Sequence, residues 1–477
     1  MPQNPHPLAP AWLTEPDDLT ALRPAEWAGD VRREKEGPAE GQLTAAGVSV
    51  RRLAEEHGTP LLVLSEADVR RRARAFKEAF GAAFRAIGTE ADVFYAGKAF
   101  LSVELGRWIL DEGLNLDACS AGEMLVGRKA GFPGERMGLH GNNKSRAEIR
   151  RALDWGVSRI VTDSLAELAL VEEVAREAGA VAPVMLRLKP GVHAHTHEAI
   201  ATAHEDQKFG LSMAAEGGGR SEAHEAAARA LASDSLELLG VHAHIGSQIF
   251  EPAGFELSAT KLITFLGEVR DAHGVELAEL DLGGGYGIAY TEADDPRPVE
   301  DIAEASAAVV RDMCAALHLR VPRVSVEPGR AIVGSAGFTL YEAGTVKDVR
   351  VEADGGTAVR RYVAVDGGMS DNPRPVLYDS DYTAVLASRA TTAPAALSRV
   401  VGKHCESGDI VVKDVYLPED VQAGDLIAVP GTGAYCWALS SNYNYLPRPA
   451  VAAVAAGESR LIVRRETEED LLARDLG

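Results

Sequence analysis

Short apolar runs recur through the first two thirds of the chain, at residues 93–96, 116–119, 137–140, 159–162, 184–188, 240–245, 280–282 and 323–326. Between several of them lie stretches with apolar positions three and four apart, as at 121–130, 145–155, 166–178 and 259–272. A period near 3.6 predicts amphipathic helices, and the short runs predict buried strands. Eight strands alternating with helices over about 250 residues predict a closed (β/α)8 barrel rather than a doubly wound open sheet. Residues 43–57 have helical spacing and 60–64 read as a short strand ahead of this rhythm. One long connection, between Leu188 and Gly240, is expected to carry a loop over the barrel mouth.

Beyond Arg330 the pattern changes. Residues 338–351, 359–365, 409–415 and 426–429 are β-rich, with Gly and Pro turns between them. The expected organisation is a Pro- and acid-rich arm (1–41) packing on the β domain, an α/β (β/α)8 TIM barrel (42–335), and a C-terminal β-sandwich or β-barrel domain (336–477).

Composition narrows the function classes. The 477 residues carry 71 acidic against 49 Lys and Arg side chains, a formal charge of -22, which excludes a phosphate-backbone binder of nucleic acid. Four cysteines, Cys119, Cys314, Cys405 and Cys436, show no CxxC spacing, so a reduced cytoplasmic protein is expected rather than a disulfide- or zinc-stapled one. No apolar run reaches the roughly 18 residues of a membrane span, and no basic segment followed by an apolar one opens the chain.

In a TIM barrel the chemistry sits just after the strands. The first strand is followed by Lys98, which either snorkels to solvent or offers an amine for Schiff-base chemistry. The sixth leads into His242-Ala243-His244-Ile245-Gly246-Ser247-Gln248. Two histidines two apart would suit a metal, but no third ligand stands at a fixed spacing, and a ring face for a planar cofactor is the better reading of His244. After the seventh comes Gly283-Gly284-Gly285, whose backbone N–H groups can approach an anion. After the eighth comes Glu327-Pro328-Gly329-Arg330. Glycines on one of these loops and Arg330 on the other together make a phosphate site. Glu327 is either a surface partner of Arg330 or the carboxylate that keeps a pyridine nitrogen protonated. In the β domain, Cys405-Glu406 places a thiol beside carboxylates, Arg374 and Tyr378 offer a fork and a hydroxyl for a substrate carboxylate, and Tyr435 follows a Gly-bearing turn.

With these residues in place the chain resembles the diaminopimelate decarboxylases, of the alanine racemase-like fold class of pyridoxal-phosphate enzymes. The likeness spans about residues 47–449 and rests on Tyr95-Ala96-Gly97-Lys98-Ala99, His140-Gly141-Asn142-Asn143-Lys144-Ser145, His195-Thr196-His197 through Lys208-Phe209-Gly210, His244 to Gln248, the glycine run, Glu327 to Arg330, Arg374 to Tyr378, Cys405 to Asp409, and Gly433 to Tyr435. The resemblance implies pyridoxal 5'-phosphate as cofactor, with Lys98 as its lysine and His244 stacked on its ring. It places Ser247, Gly284, Gly285, Gly329, Arg330 and Tyr435 around the cofactor and Glu327 on its pyridinium. Arg330, Arg374, Tyr378, Glu406 and Tyr435 would bind the amino-acid substrate, and Cys405 would return a proton. It further implies a homodimer whose partner lends Cys405 and Glu406 to the site. Lys403, Ala203-His204 and Tyr445 depart from the family's usual residues and bear on fine substrate tuning.

Rival readings remain. A racemase on this fold sets an arginine against the pyridine nitrogen, so Glu327 argues for decarboxylation. Ornithine, arginine or carboxynorspermidine are other substrates for such a fold, but Arg374 with Glu406 suits a zwitterionic far end. A non-catalytic homologue would have lost Lys98 or Cys405.

Overall fold

The computed structural model describes residues 6–192, 207–215, 220–353 and 356–477. The chain divides into two compact units, one of residues 70–287 and 296–329, the other of 1–69, 288–295 and 330–477.

The first unit is a closed parallel barrel. Its strands are β1 (Ala91–Ala96), β2 (Asn115–Ala118), β3 (Met137–Leu139), β4 (Arg159–Thr162), β5 (Ala182–Lys189), β6 (Leu236–His242), β7 (Glu279–Asp281) and β8 (Arg323–Val326). Each pairs with the next in parallel, and β8 closes on β1 with Val324 opposite Ala91. All eight predicted runs are therefore barrel strands. Their apolar side chains, such as Leu116, Ile160, Leu186, Val241 and Leu280, are fully buried. Inside the barrel Arg159 pairs with Asp281 at 3.2 Å and Glu279 at 3.0 Å, and donates to Ser325 at 2.7 Å. A buried guanidinium is tolerated there because two carboxylates match its charge and its terminal nitrogens are engaged, while its Nε has no acceptor.

The helices between the strands start where the sequence provides caps. Ser102, Ser120, Ser145, Ser164 and Ser221 each accept a backbone N–H of the first helical turn. Each cap contributes about 1 kcal/mol and fixes where a βα loop ends. In the connection from β5 to β6 the structure shows a short strand, Leu211–Ser212, and a helix, Glu222–Ala232. The expected mouth loop, with His195, Thr196, His197, Ala203 and His204, lies outside the described residues.

The second unit is built on a mixed sheet. Its longest strand, Gly337–Ala353, pairs antiparallel with Gly356–Val365, Leu426–Pro430 and Leu61–Ser65. Ala395–Val401 and Ile410–Pro418 extend one edge, and Ala450–Ala455 and Glu458–Val463 the other. The strand read at 60–64 is thus real, but it belongs to this sheet: it pairs with Gly337–Ala353 and Ala450–Ala455, and Leu61 and Val63 on one face pack into the core of Phe338, Leu340 and Ala452. The helix expected over 43–57 is shorter. Leu43–Ala45 and Val48–Ser49 are strands pairing with each other, and the helix runs Val50–His57 behind a Ser49 cap. The arm lies on this sheet: Arg33 donates to the carbonyls of Leu386 and Arg389, and the Trp27 ring meets Phe338 at 5.8 Å. No helix among the described residues is long and apolar enough to cross a membrane.

Candidate active site

The barrel carries a cluster of ionisable groups at its strand ends. Lys98 sits in the single turn Gly97–Ala99 that follows β1. The buried Tyr95 hydroxyl donates to the Phe100 carbonyl at 2.6 Å and ties this turn to its strand. Gly329 lies against it: a β-carbon there would come within 3.0 Å of Ala96 and Ala99, so only glycine lets the loop after β8 approach.

Glu327, 6% exposed, is held between two histidines. His140 Nε2 stands 3.0 Å from one carboxylate oxygen and His242 Nε2 3.2 Å from the other. Asp117 stands 3.6 Å behind His140. Burial alone would keep Glu327 protonated, but the charges and hydrogen bonds of the two imidazoles overcome it and hold the carboxyl well below its ordinary range. Burial also disfavours the charged form of His140, and there Asp117 and Glu327 win and raise its pKa. Asp117 takes the cost: burial, only partly offset by His140, pushes it up to about 7. His244 takes no part in this cluster: the histidine that joins His242 on Glu327 is His140, and Glu327 lies 85 residues beyond His242, brought to it by the closure of the barrel. The carboxylates around His140 favour its protonated form, in which both ring nitrogens carry a proton.

His244 follows one turn of loop beyond β6 and accepts the Gly284 N–H on Nδ1 at 3.3 Å. Burial, with the Lys98 and Arg187 charges, pushes its pKa well down, so its ring is neutral. The glycine run is interlocked with this loop. A β-carbon on Gly284 would lie 2.3 Å from the Glu327 carbonyl, and Gly285, at φ +114°, accepts the Ile249 N–H at 2.9 Å. Ser247 lies in the same loop, between His244 and Ile249. The main-chain N–H of Gly285, Ser247 near it, a flat neutral imidazole held by the Gly284 N–H and a buried anion make a set that fits a planar, phosphorylated, pyridine-type cofactor.

The β unit holds a second cluster. Arg330 and Arg374, each 6% exposed, face the same two rings. Arg330 lies 4.7 Å from the Tyr435 ring centre and 5.7 Å from that of Tyr290, to whose hydroxyl it also donates. Arg374 lies 5.3 Å from Tyr290, 5.8 Å from Tyr435 and 5.8 Å from Tyr378. Its Nη2 donates to Ser380 at 3.1 Å, and its buried Nε has no hydrogen-bond acceptor. Tyr435 keeps a left-handed backbone at φ +60°, a strained state for a residue with a β-carbon that is typical of functional positions. Cys405 and Glu406 lie on another, exposed loop. Asp409 shapes it by accepting the His404 N–H at 2.8 Å, while Asn444 accepts the Cys405 N–H at 3.3 Å.

Within the barrel unit, then, the structure places Lys98, His244, Ser247, Gly284, Gly285, Glu327 and Gly329 at strand ends. Within the β unit it groups Arg330, Arg374, Tyr378 and Tyr435 and sets Cys405 and Glu406 together elsewhere. Sequence reasoning missed Asp117 and Tyr290, and saw His140 and His242 only as motif members. Their signal was faint: Asp117 and His140 each lie within a residue of a strand end, the one general cue a barrel gives.

This fold and donor set define a pyridoxal-dependent decarboxylase, and the family of the pyridoxal binding domain of pyridoxal-dependent decarboxylases matches residues 66–334. The likeness narrows with the whole chain: diaminopimelate decarboxylase of Mycobacterium leprae is 51% identical over 475 residues, covering 99% of this chain and 97% of its own. That of Bacillus subtilis is 46% identical over 436 residues, 91% and 95% of the two chains. Diaminopimelate decarboxylase of M. jannaschii, in complex with L-lysine, superposes with a TM-score of 0.85 at 30% identity, over 94% of this chain and 98% of that one. The chain belongs to the diaminopimelate decarboxylase family.

Proposed function

We propose that the protein removes one carboxylate from meso-2,6-diaminopimelate to give L-lysine and carbon dioxide, the last step of lysine biosynthesis. The observation that carries this reading is Glu327, a buried carboxylate held ionised by His140 and His242 in a family of pyridoxal-dependent decarboxylases. Bound pyridoxal phosphate supplies a protonated pyridine ring that takes up the electron pair left by the departing carboxylate.

The residues of the chain do the rest. Lys98 would hold the cofactor through its amine and yield that place to the substrate amine. Glu327 would keep the pyridine nitrogen protonated, and the uncharged His244 ring would stack on the cofactor without competing for its charge. Ser247, Gly284, Gly285 and Gly329, with Arg330 and Tyr435, would hold the phosphate end. Arg330, Arg374, Tyr378, Glu406 and Tyr435 would bind the substrate. In particular, Arg374 would take the carboxylate that is retained, and Glu406 the amine beside it. Cys405 would deliver a proton to the carbon that has lost its carboxylate.

The protein would act as a homodimer in the cytoplasm, with Cys405 and Glu406 given to the partner's site. Supporting this, both stand exposed on the single chain, and large apolar side chains are exposed near them in sequence or on the same unit: Leu377 at 58%, Tyr443 at 41% and Tyr445 at 66%. Tyr443 stacks on His404, next to Cys405, at 5.3 Å. All four cysteines are free, as a reducing compartment keeps them.

The test is a product assay on the purified, cofactor-loaded protein with meso-diaminopimelate, following carbon dioxide and lysine together. Equal release of both is expected. Neither product, with cofactor bound, would overturn the substrate assignment.

A further inference from the structure

Arg374 is a buried cation that pairs with no carboxylate among the described residues. Its Nε lacks an acceptor, and beyond Ser380 its guanidinium faces aromatic rings, the Tyr382 hydroxyl and the Cys436 thiol. A buried cation with no carboxylate partner is a place where an anion from outside the protein is favoured. Arg330 faces the same two rings, Tyr290 and Tyr435. Of those rings, Tyr290 does two things at once. Its hydroxyl accepts a hydrogen bond from Arg330, and its face lies 5.3 Å from the Arg374 guanidinium.

Tyr290 is itself fixed. It is 5% exposed, its N–H donates to Asp294 at 2.9 Å, and the Tyr382 ring meets it edge-on at 5.0 Å. Gly431, at φ +73°, packs against it, and a β-carbon there would come within 3.0 Å of the ring. Tyr382 in turn contacts the Cys436 thiol at 3.5 Å, and that thiol donates to Asn372 at 3.3 Å. The ring is a rigid spacer and not a surface tyrosine that could turn away.

We infer that Tyr290 is a positioning residue for the retained carboxylate of the substrate, setting the spacing of Arg330 and Arg374 so that both guanidinium groups converge on one carboxylate. This rests on the reading that those arginines hold the substrate. It goes beyond that reading by assigning to Tyr290 the selection of an amino acid with an acidic far end. A hydroxyl that fixes one guanidinium and a ring that fixes the other act at the far end of the substrate, away from the reacting centre.

The experiment compares Tyr290→Phe, Tyr290→Leu and Arg374→Gln in the cofactor-loaded enzyme. Each is assayed with meso-diaminopimelate as substrate and with D-lysine as competitive inhibitor, since D-lysine keeps the reacting centre and lacks the far carboxylate. Tyr290→Phe is expected to raise KM for diaminopimelate about tenfold, with kcat within about twofold and the D-lysine inhibition constant unchanged. Tyr290→Leu, which also loses the ring, should raise KM further. Melting temperature and cofactor absorbance of Tyr290→Phe should match the parent. A Tyr290→Phe enzyme with unchanged KM, or with KM and the D-lysine constant rising together, overturns the inference. If Arg374→Gln itself leaves KM unchanged, the reading of Arg374 as carboxylate holder fails, separately from that of Tyr290.

Discussion

At the scale of single residues, the informative group is the buried chain Asp117, His140, Glu327, His242. Its charges are not independent, and their signs set a pH dependence. His140 has a raised pKa, so its contribution to stability is full below its ordinary value of 6.5 and is lost as pH rises through the raised one. Glu327 is depressed, so its contribution is present above its ordinary 4.5 and is lost only as pH falls well below that. Asp117 works against both: pushed up to about 7, it costs stability as pH rises from 3.8 and costs most above about 7. Replacing His140 with Asn should therefore destabilise most near pH 6, where His140 is charged and Glu327 is ionised. Breaking a buried pair of this kind costs roughly 3–5 kcal/mol. Thermal melts of parent and variant at about pH 6 and about pH 9 check this, with the gap expected to narrow at the higher pH. A gap that is constant would mean that His140 acts by packing alone. None of this coupling was legible in the sequence. Asp117 and Glu327 are 210 positions apart, and only the closure of the barrel makes neighbours of them.

At the scale of elements, pattern was a better guide for some than for others. The barrel strands were readable because each is a short apolar run, and the helices because their apolar positions fall three and four apart; the Ser caps and left-handed glycines such as Gly156 and Gly179 that bound them were not used in that reading. Leu61–Ser65 has the same composition as a barrel strand, and nothing local says that it pairs with Gly337–Ala353 instead. Strands at Ala395–Val401 and Glu458–Val463 went unread, since they are partly exposed and alternate only weakly. The loop of Cys405 shows how an element positions one group. Asn444, with φ +52°, uses its side-chain oxygen both for the Cys405 N–H and for His404 Nδ1 at 3.2 Å. Asn444→Gly keeps the left-handed backbone and removes only that amide. It should lower kcat by about three- to tenfold while cofactor absorbance stays as in the parent, because Cys405 loses its fixed direction rather than its thiol. Steady-state kinetics beside an absorbance spectrum read both quantities. A drop in bound cofactor would place Asn444 in the cofactor site instead.

At the scale of the whole molecule, the question is whether one chain makes a complete site. The exposed thiol of Cys405 argues that it does not, since a proton donor left in bulk water has no advantage over water itself. A mass of about 101 kDa in solution, twice the 50.6 kDa of the chain, would accord with a dimer but would not show that the sites are shared. Complementation separates the two. Lys98→Ala removes the lysine proposed to hold the cofactor and Cys405→Ala the proposed proton donor, and each variant alone should be close to inactive. If Cys405 serves the partner's site, mixing the two under exchange gives heterodimers in which one site draws Lys98 from one chain and Cys405 from the other, both intact. The second site of the same heterodimer lacks both. Random pairing makes half of the dimers mixed, each with one working site of two, so activity should recover to about a quarter of the parent's. Should Cys405 serve its own chain instead, each site in the mixture retains one defect and no activity returns. The result depends only on which chain supplies the thiol, and not on how strongly either substitution perturbs the fold around it.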